Sequence, residues 1–173
     1  MMPAKKYPVR NALIIPFTLV VTFLLVLLVL AVFMRESFAE RIFYTAVFMP
    51  ALYIYLEAVS RKVIIDERGV VVHKLLRRKE VSWEDITHVG CVVMGKKVYI
   101  LMTTVKGFFI ISNVTSHFSA LIQQLLDHLD PKKMEEETRN LIANPIHKVS
   151  DIVGLWIAAI AMSGIIIYKL IVL

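Results

Sequence analysis

The stretch "KVIIDERGVVVHKLLRRKEVSWEDITHV", Lys62 to Val89, alternates apolar and polar residues and breaks that alternation at two points. "KVIID" reads as a strand, "ERG" as a tight turn in which Gly69 can take a positive φ, and "VVVHKLL" as the returning strand. On the returning strand Val70, Val72 and Lys74 share one face, and Val71, His73 and Leu75 the other. The next strand ends at Trp83, where "WEDI" turns the chain. Glu84 and Asp85 are expected to face solvent and Ile86 to re-enter the core. A rigid ring braces such a corner when its indole N–H reaches a carbonyl, so Trp83, Asp85 and Ile86 are read as a structural corner. Downstream, "CVVM", "GKK" and "VYILMTT" give a second hairpin signal, and "VKG" before "FFIISNV" a third.

The period then changes from two to 3.6. Phe118, Leu121, Ile122, Leu125 and Leu129 form one apolar stripe, opposed by Gln123, Gln124, Asp127 and His128. Asp130-Pro131 resembles an N-cap followed by Pro at the first helical position, opening a polar helical connector over 131–150. Short consecutive strands closed by one amphipathic helix predict a bent sheet or partly open barrel over 61–130.

Around this domain the chain is apolar. Its 173 residues are 58% hydrophobic, with a mean hydropathy of +0.70. Asn11 to Met34 is 24 residues without a charge, enough to cross a ~30 Å hydrocarbon core as a helix. Together with a second span at about 40–59 it predicts a transmembrane hairpin over 11–60, preceded by a short tail, 1–10. Residues 151–173 predict a third span. The first run is longer than the roughly 7–15 apolar residues of a signal peptide, and no small-x-small cleavage site follows it.

Lys and Arg near the spans set the expected orientation. Lys5, Lys6 and Arg10 precede the first span, and Arg61 and Lys62 follow the second. The loop "RESFAER" balances Arg35 and Arg41 with Glu36 and Glu40. This pattern predicts a multi-pass inner-membrane protein with its N-terminus and β-domain cytoplasmic and its C-terminus outside. A lone Cys91 gives no disulfide framework and suits a reducing compartment.

"KVIIDERGVVV", "KEVSWEDITHV" and "GFFIISNV" running into "FSALIQQLLDHL" resemble, in that order, the bacterial pleckstrin-homology-like domains of YcxB-like membrane proteins. The resemblance covers about residues 40 to 130. It implies a seven-stranded bent barrel capped by a C-terminal helix, behind a two-span hairpin. The third span departs from that layout. The expected fold is therefore an α+β membrane protein with an N-terminal two-helix hairpin, a pleckstrin-homology-like barrel and a C-terminal transmembrane helix.

Catalytic patterns are lacking. The five histidines show no ligand spacing on one helix face, Ser82 and Ser112 lack the glycines of a nucleophile elbow, and no glycine run forms a phosphate loop. Neither an enzyme nor a cofactor or metal is expected. The candidate site is cationic, comprising Lys74, Arg77, Arg78 and Lys79, with Lys96 and Lys97 in the next hairpin. From Arg61 to Lys106 ten basic residues meet five acidic ones. Eukaryotic relatives of the resemblance bind phosphoinositides through a basic first loop, but here that loop is the acidic "DERG", so that specificity is not carried over. The expected function is non-catalytic binding at the inner membrane, holding a protein partner or anionic lipid. The alternative is an accessory subunit of a transporter or channel. Membrane lipids, a membrane or cytoplasmic protein, and a second copy of the chain are the expected partners, and nucleic acid is not.

Overall fold

A computed structural model describes residues 5–94, 97–105, 107–129 and 150–172. The chain divides into two units, one of residues 1–10 with 60–148 and one of 11–59 with 149–173. The predicted connector, 131–150, falls outside the described residues except for Ser150, which begins the last helix.

The first unit holds two antiparallel sheets. Strands β1 (Lys5–Pro8), β2 (Lys62–Ile65), β3 (Gly69–His73) and β4 (Arg78–Ser82) follow one another across the first sheet. The second contains β5 (Ile86–Met94), β6 (Lys97–Thr104) and β7 (Gly107–Ser112). A 3₁₀ turn, Trp83–Asp85, joins them at one margin. At another margin Val9 bridges to Thr115. Beside that bridge, Arg10 N–H donates to Val114 O at 3.0 Å and Ser116 N–H to Pro8 O at 2.7 Å.

Two features depart from the expectation. Residues 5–8, read as part of a tail, form a paired strand, in register from Lys5 opposite Ile65 to Pro8 opposite Lys62. The run "KKYP" is too short and too basic to announce a strand, and its partner lies on the far side of the apolar hairpin. The returning strand is also shorter than predicted. It stops at His73, and Lys74 to Arg77 form a turn closed by Lys74 N–H donating to Arg77 O at 2.8 Å.

Inward-facing residues of both sheets make the core, with Ile65, Val70, Ile86 and Met102 fully buried. The amphipathic stripe becomes α3 (Phe118–His128), which adds Leu121, Ile122 and Leu125 to that core. The helix is tied to β1 by Tyr7 Oη–H donating to Gln124 Oε1 at 2.8 Å. Burial pushes the Tyr7 phenol up from its ordinary pKa, so it remains a neutral donor at physiological pH.

In the second unit α1 (Asn11–Phe33), α2 (Phe38–Ser60) and α4 (Ser150–Val172) each have 23 residues. At 1.5 Å per residue each is ~35 Å long, enough to span a bilayer, and all three are apolar enough to do so. Leu155, Ala158 and Ala159 of α4 pack on α1 around Val20 and Leu24, the small residues permitting close approach. Glu36, between α1 and α2, pairs with Lys169 near the end of α4, so α4 runs parallel to α1. Lys169 Nζ also lies 5.5 Å from the centre of the Tyr44 ring. The α1–α2 connection is tight for local reasons. Glu36 N–H reaches Ala31 O at 3.1 Å and Arg35 N–H reaches Val32 O at 3.3 Å, with Arg35 left-handed at φ 50°, the Schellman ending of a helix. Ser37 and Glu40 then form a capping box, with Glu40 N–H donating to Ser37 Oγ at 3.3 Å and Ser37 N–H to Glu40 Oε2 at 3.0 Å.

Two substitutions test these contacts. A Cβ at Gly69 would stand 1.9 Å from the Val81 carbonyl oxygen, so Gly69→Ala is expected to destabilise the β-unit by at least ~2 kcal/mol, read from thermal unfolding. Glu36 and Lys169 side chains are 12% and 15% exposed. Lys169→Gln should therefore cost roughly 2–3 kcal/mol by leaving a carboxylate unpaired. The double variant with Glu36→Gln should recover most of that loss in unfolding measured in bicelles.

Candidate functional site

Strand register places the cationic residues. Pro8, Lys62, His73 and Arg78 lie side by side across the first sheet, and the turn Lys74–Arg77 projects beyond them. At this same end of the sheet the chain runs from β1 into α1 and from α2 into β2. The second sheet contributes its β5–β6 tip. Val98 O, next to that tip, accepts Asn113 N–H at 3.0 Å, and Val114 O accepts Arg10 N–H, so the tip adjoins residues 8–10.

The residues gathered there are basic. Segments 8–10, 60–62, 73–79, 91–94, 97–99 and 112–116 contain Arg10, Arg61, Lys62, Lys74, Arg77, Arg78, Lys79 and Lys97 and no carboxylate. The carboxylates Asp66, Glu67, Glu84 and Asp85 sit at the opposite end, in the β2–β3 turn and the Trp83 corner. Antiparallel pairing thus brings a basic surplus together at one end from residues far apart in sequence, while the other end mixes these carboxylates with Lys5 and Arg68.

Within the cluster the roles differ. Lys74 and Arg77 are exposed and have no carboxylate partner among the described residues. Arg78 pairs with Glu80, both well exposed, a contact of little energy in water. Lys79 shares the inward face with Val81 and places its ammonium 5.4 Å from the Phe109 ring centre. The side chain is exposed, but it leans toward the core edge instead of standing on the same face as Arg78. Lys96 lies outside the described residues, and Lys97 is placed by backbone register opposite Met94.

Around Trp83 the indole N–H donates to Asp66 O at 3.1 Å. The Trp83 backbone N–H reaches Arg68 O at 3.3 Å. Asp66 Oδ1 accepts the N–H groups of Arg68 and Gly69 at 2.9 and 3.0 Å. The ring thus fastens the corner to the β2–β3 turn, and its face stacks on His128 with centres 4.8 Å apart. Ile86 is fully buried. Asp85, expected to face solvent, is half-buried, and its carbonyl accepts Val105 N–H at 3.2 Å.

Sequence reasoning missed the exposed apolar residues. Leu76 is 83% exposed in the basic turn and Met94 66% exposed at the β5–β6 tip. On the outer face of the second sheet, Ile110 lies opposite Leu101, Phe108 opposite Thr103 and Val92 opposite Tyr99. Ile110, Phe108 and Val92 are all exposed. The signal for this face was the doubly apolar "FFII", where strict alternation would have put polar residues outside. Among the described residues no group of three His, Cys, Asp or Glu side chains converges to hold a metal.

Compared with protein-family models, curated proteins and solved structures, the chain matches none.

Trp83→Ala should cost about 2–4 kcal/mol, below the loss for a fully enclosed ring because Trp83 is half-buried. Trp83→Phe keeps the stack but not the hydrogen bond and should lose about 1 kcal/mol. Thermal unfolding of the purified protein reads both.

Proposed function

We propose that the chain is a non-catalytic membrane-anchored binding protein whose β-unit is a pleckstrin-homology-like barrel. The fold assignment is supported by seven described strands in a four-plus-three arrangement, by the Val9–Thr115 bridge and by α3 packed into the core. One observation carries the functional reading. The sheet end at which the chain leaves for α1 and returns from α2 gathers a surplus of basic residues, with one carboxylate, Glu80, paired to Arg78 beside them. Each Lys or Arg near an anionic bilayer contributes ~1 kcal/mol, so the outward trio of Lys74, Arg77 and Arg78 favours the orientation that turns this end toward it. In this reading the barrel rests on anionic lipid at the cytoplasmic face of an inner membrane. A protein partner docks on the outer face of the second sheet, at Phe108 and Ile110.

The pairing of β1 with β2 supports the topology. A membrane crossed by α1 must be crossed back by α2, because the strands flanking the two helices are neighbours. The parallel course of α4 then carries the C-terminus across. Reporter fusions after Lys62 and after Leu173 are expected in opposite compartments, and the same compartment for both would remove the third crossing.

A second reading, accessory subunit of a transporter or channel, draws on one feature. No residue of α2 is buried, and Ile42, Val47 and Ile54 are left open to another membrane helix. Photo-crosslinkers at Phe108 and at Ile54 separate the two readings in native membranes. Capture of a protein at Phe108 is expected. A multi-span protein captured only at Ile54 would favour the accessory subunit.

The charge contribution is tested on the full chain in nanodiscs of phosphatidylcholine with and without phosphatidylglycerol. Fluorescence transfer from the β-unit to labelled lipid should increase with the anionic lipid and fall steeply with salt, since screening acts over ~8 Å at physiological ionic strength. Replacing Lys74, Arg77 and Arg78 with Gln should remove both dependences without changing thermal stability.

A further inference from the structure

We infer that the two hairpin tips at the basic end insert apolar side chains, Leu76 and Met94, into the interfacial layer of an anionic bilayer. The inference rests on the proposal that this end faces lipid, and it adds a hydrophobic contact that charge alone does not supply.

The sequence of the first tip is unusual for a water-exposed turn. Turns favour Gly, Asn, Asp, Pro and Ser, which fit the backbone and satisfy it locally. Here the turn closed by Lys74 and Arg77 has Leu75 and Leu76 at its centre. Leu75 is half-buried, while Leu76 is 83% exposed among the described residues. The second tip repeats the composition by different means. Val92, Val93 and Met94 are exposed at 46, 43 and 66%, and Lys97 follows across the turn. Two tips from different sheets, each with exposed apolar residues beside basic ones, lie at the same end of the β-unit.

A bilayer is the occupant this pattern fits. An interfacial contact requires apolar side chains reaching past the headgroups with cations at phosphate level, the order of residues along the first tip. Lys74 and Arg77 flank Leu76 on both sides. The reach is also sufficient. The turn extends about two residues past the level of Pro8 and Lys62, roughly 7 Å at 3.3 Å per residue. In sequence, Pro8 is three residues from the start of α1 at Asn11, and Lys62 is two residues from the end of α2 at Ser60. The opposite end of the barrel, with Glu67 and Glu84 exposed, has the wrong charge for an anionic surface.

Spin labels placed singly at residues 76, 94 and 67 test this on the full chain, in a Cys91→Ala background shown by thermal unfolding to be folded. The protein is held in nanodiscs of phosphatidylcholine and phosphatidylglycerol. Labels at 76 and 94 should favour oxygen over a polar nickel reagent, and the label at 67 should show the reverse preference. In pure phosphatidylcholine the difference should shrink. If 76 and 94 match 67, insertion is overturned. Should salt-sensitive attachment persist in that case, the electrostatic reading survives alone; should it vanish too, both fall. Labels at 76 and 94 shielded from both reagents would mark contact with protein and would also overturn insertion.

Discussion

The pairing of four residues before α1 with four residues after α2 is the constraint on which the rest of this structure depends. Strand β1 is too short to persist alone, and without β2 beside it Tyr7 and Val9 would leave the core. With it, the sheet gains a fourth strand, α3 gains an anchor at Gln124, and the bridge from Val9 to Thr115 links the two sheets. The same pairing fixes the ends of the apolar hairpin as neighbours. The β-unit and the apolar hairpin are thus interdependent through covalent continuity: a fragment beginning at residue 61 would expose the edge of β2 and the side of α3 that Tyr7 covers. An uncovered edge of that kind invites pairing with other chains.

Local patterns were legible in the sequence where the physics that produces them is local. Alternation marked β2, β3, β6 and β7 because each has one face in the core. The 3.6-residue period marked α3 because Leu121, Ile122 and Leu125 share one stripe. Apolar length marked α1 and α4. The turn at Asp66 was readable because an aspartate three residues before a glycine can accept both backbone N–H groups, as its Oδ1 does. What stayed hidden was long-range. Nothing within "KKYP" specifies Ile65 as a partner, and nothing in "HKLL" says that the strand stops at His73 and leaves Leu76 without cover. The outward trio was visible as a charge run, whereas the turning of Lys79 onto Phe109 depends on the second sheet approaching the first.

The helical unit depends on a different contact. Helices gain little from apolar contact with each other in lipid, so packing and polar links decide which of them associate. Here α4 meets α1 through Ala158 and Ala159 and is fixed in direction by Lys169 on Glu36. Glu36 is held where it is by the Schellman ending of α1, and Ser37 next to it opens α2. One four-residue connection therefore ends one helix, starts another and supplies the carboxylate that orients the third. By contrast α2 contributes no buried residue: Phe48 and Ala51 pack on the α1–α4 contact, and Tyr55 receives the Thr18 hydroxyl and meets Phe17 edge-on, which leaves Ile42, Val47 and Ile54 exposed.

Tethering explains why a contact surface this small is sufficient. A free domain needs many kcal/mol to recruit itself to a membrane, because association costs translational and rotational freedom. A domain bound covalently to two spans has already lost most of that freedom, and the remaining question is only which way it faces. An orientational preference of ~2.8 kcal/mol holds it in place about 99% of the time, since each 1.4 kcal/mol is a factor of ten. Two unpaired cations at ~1 kcal/mol each and one leucine at ~1.5–3 kcal/mol when fully desolvated reach that value together, and the cations alone fall short of it. On this arithmetic Leu76 is the residue that changes a loosely leaning domain into a seated one. In the arrangement proposed above, a domain seated in this way holds Phe108 and Ile110, on the outer face of the second sheet, in a fixed presentation.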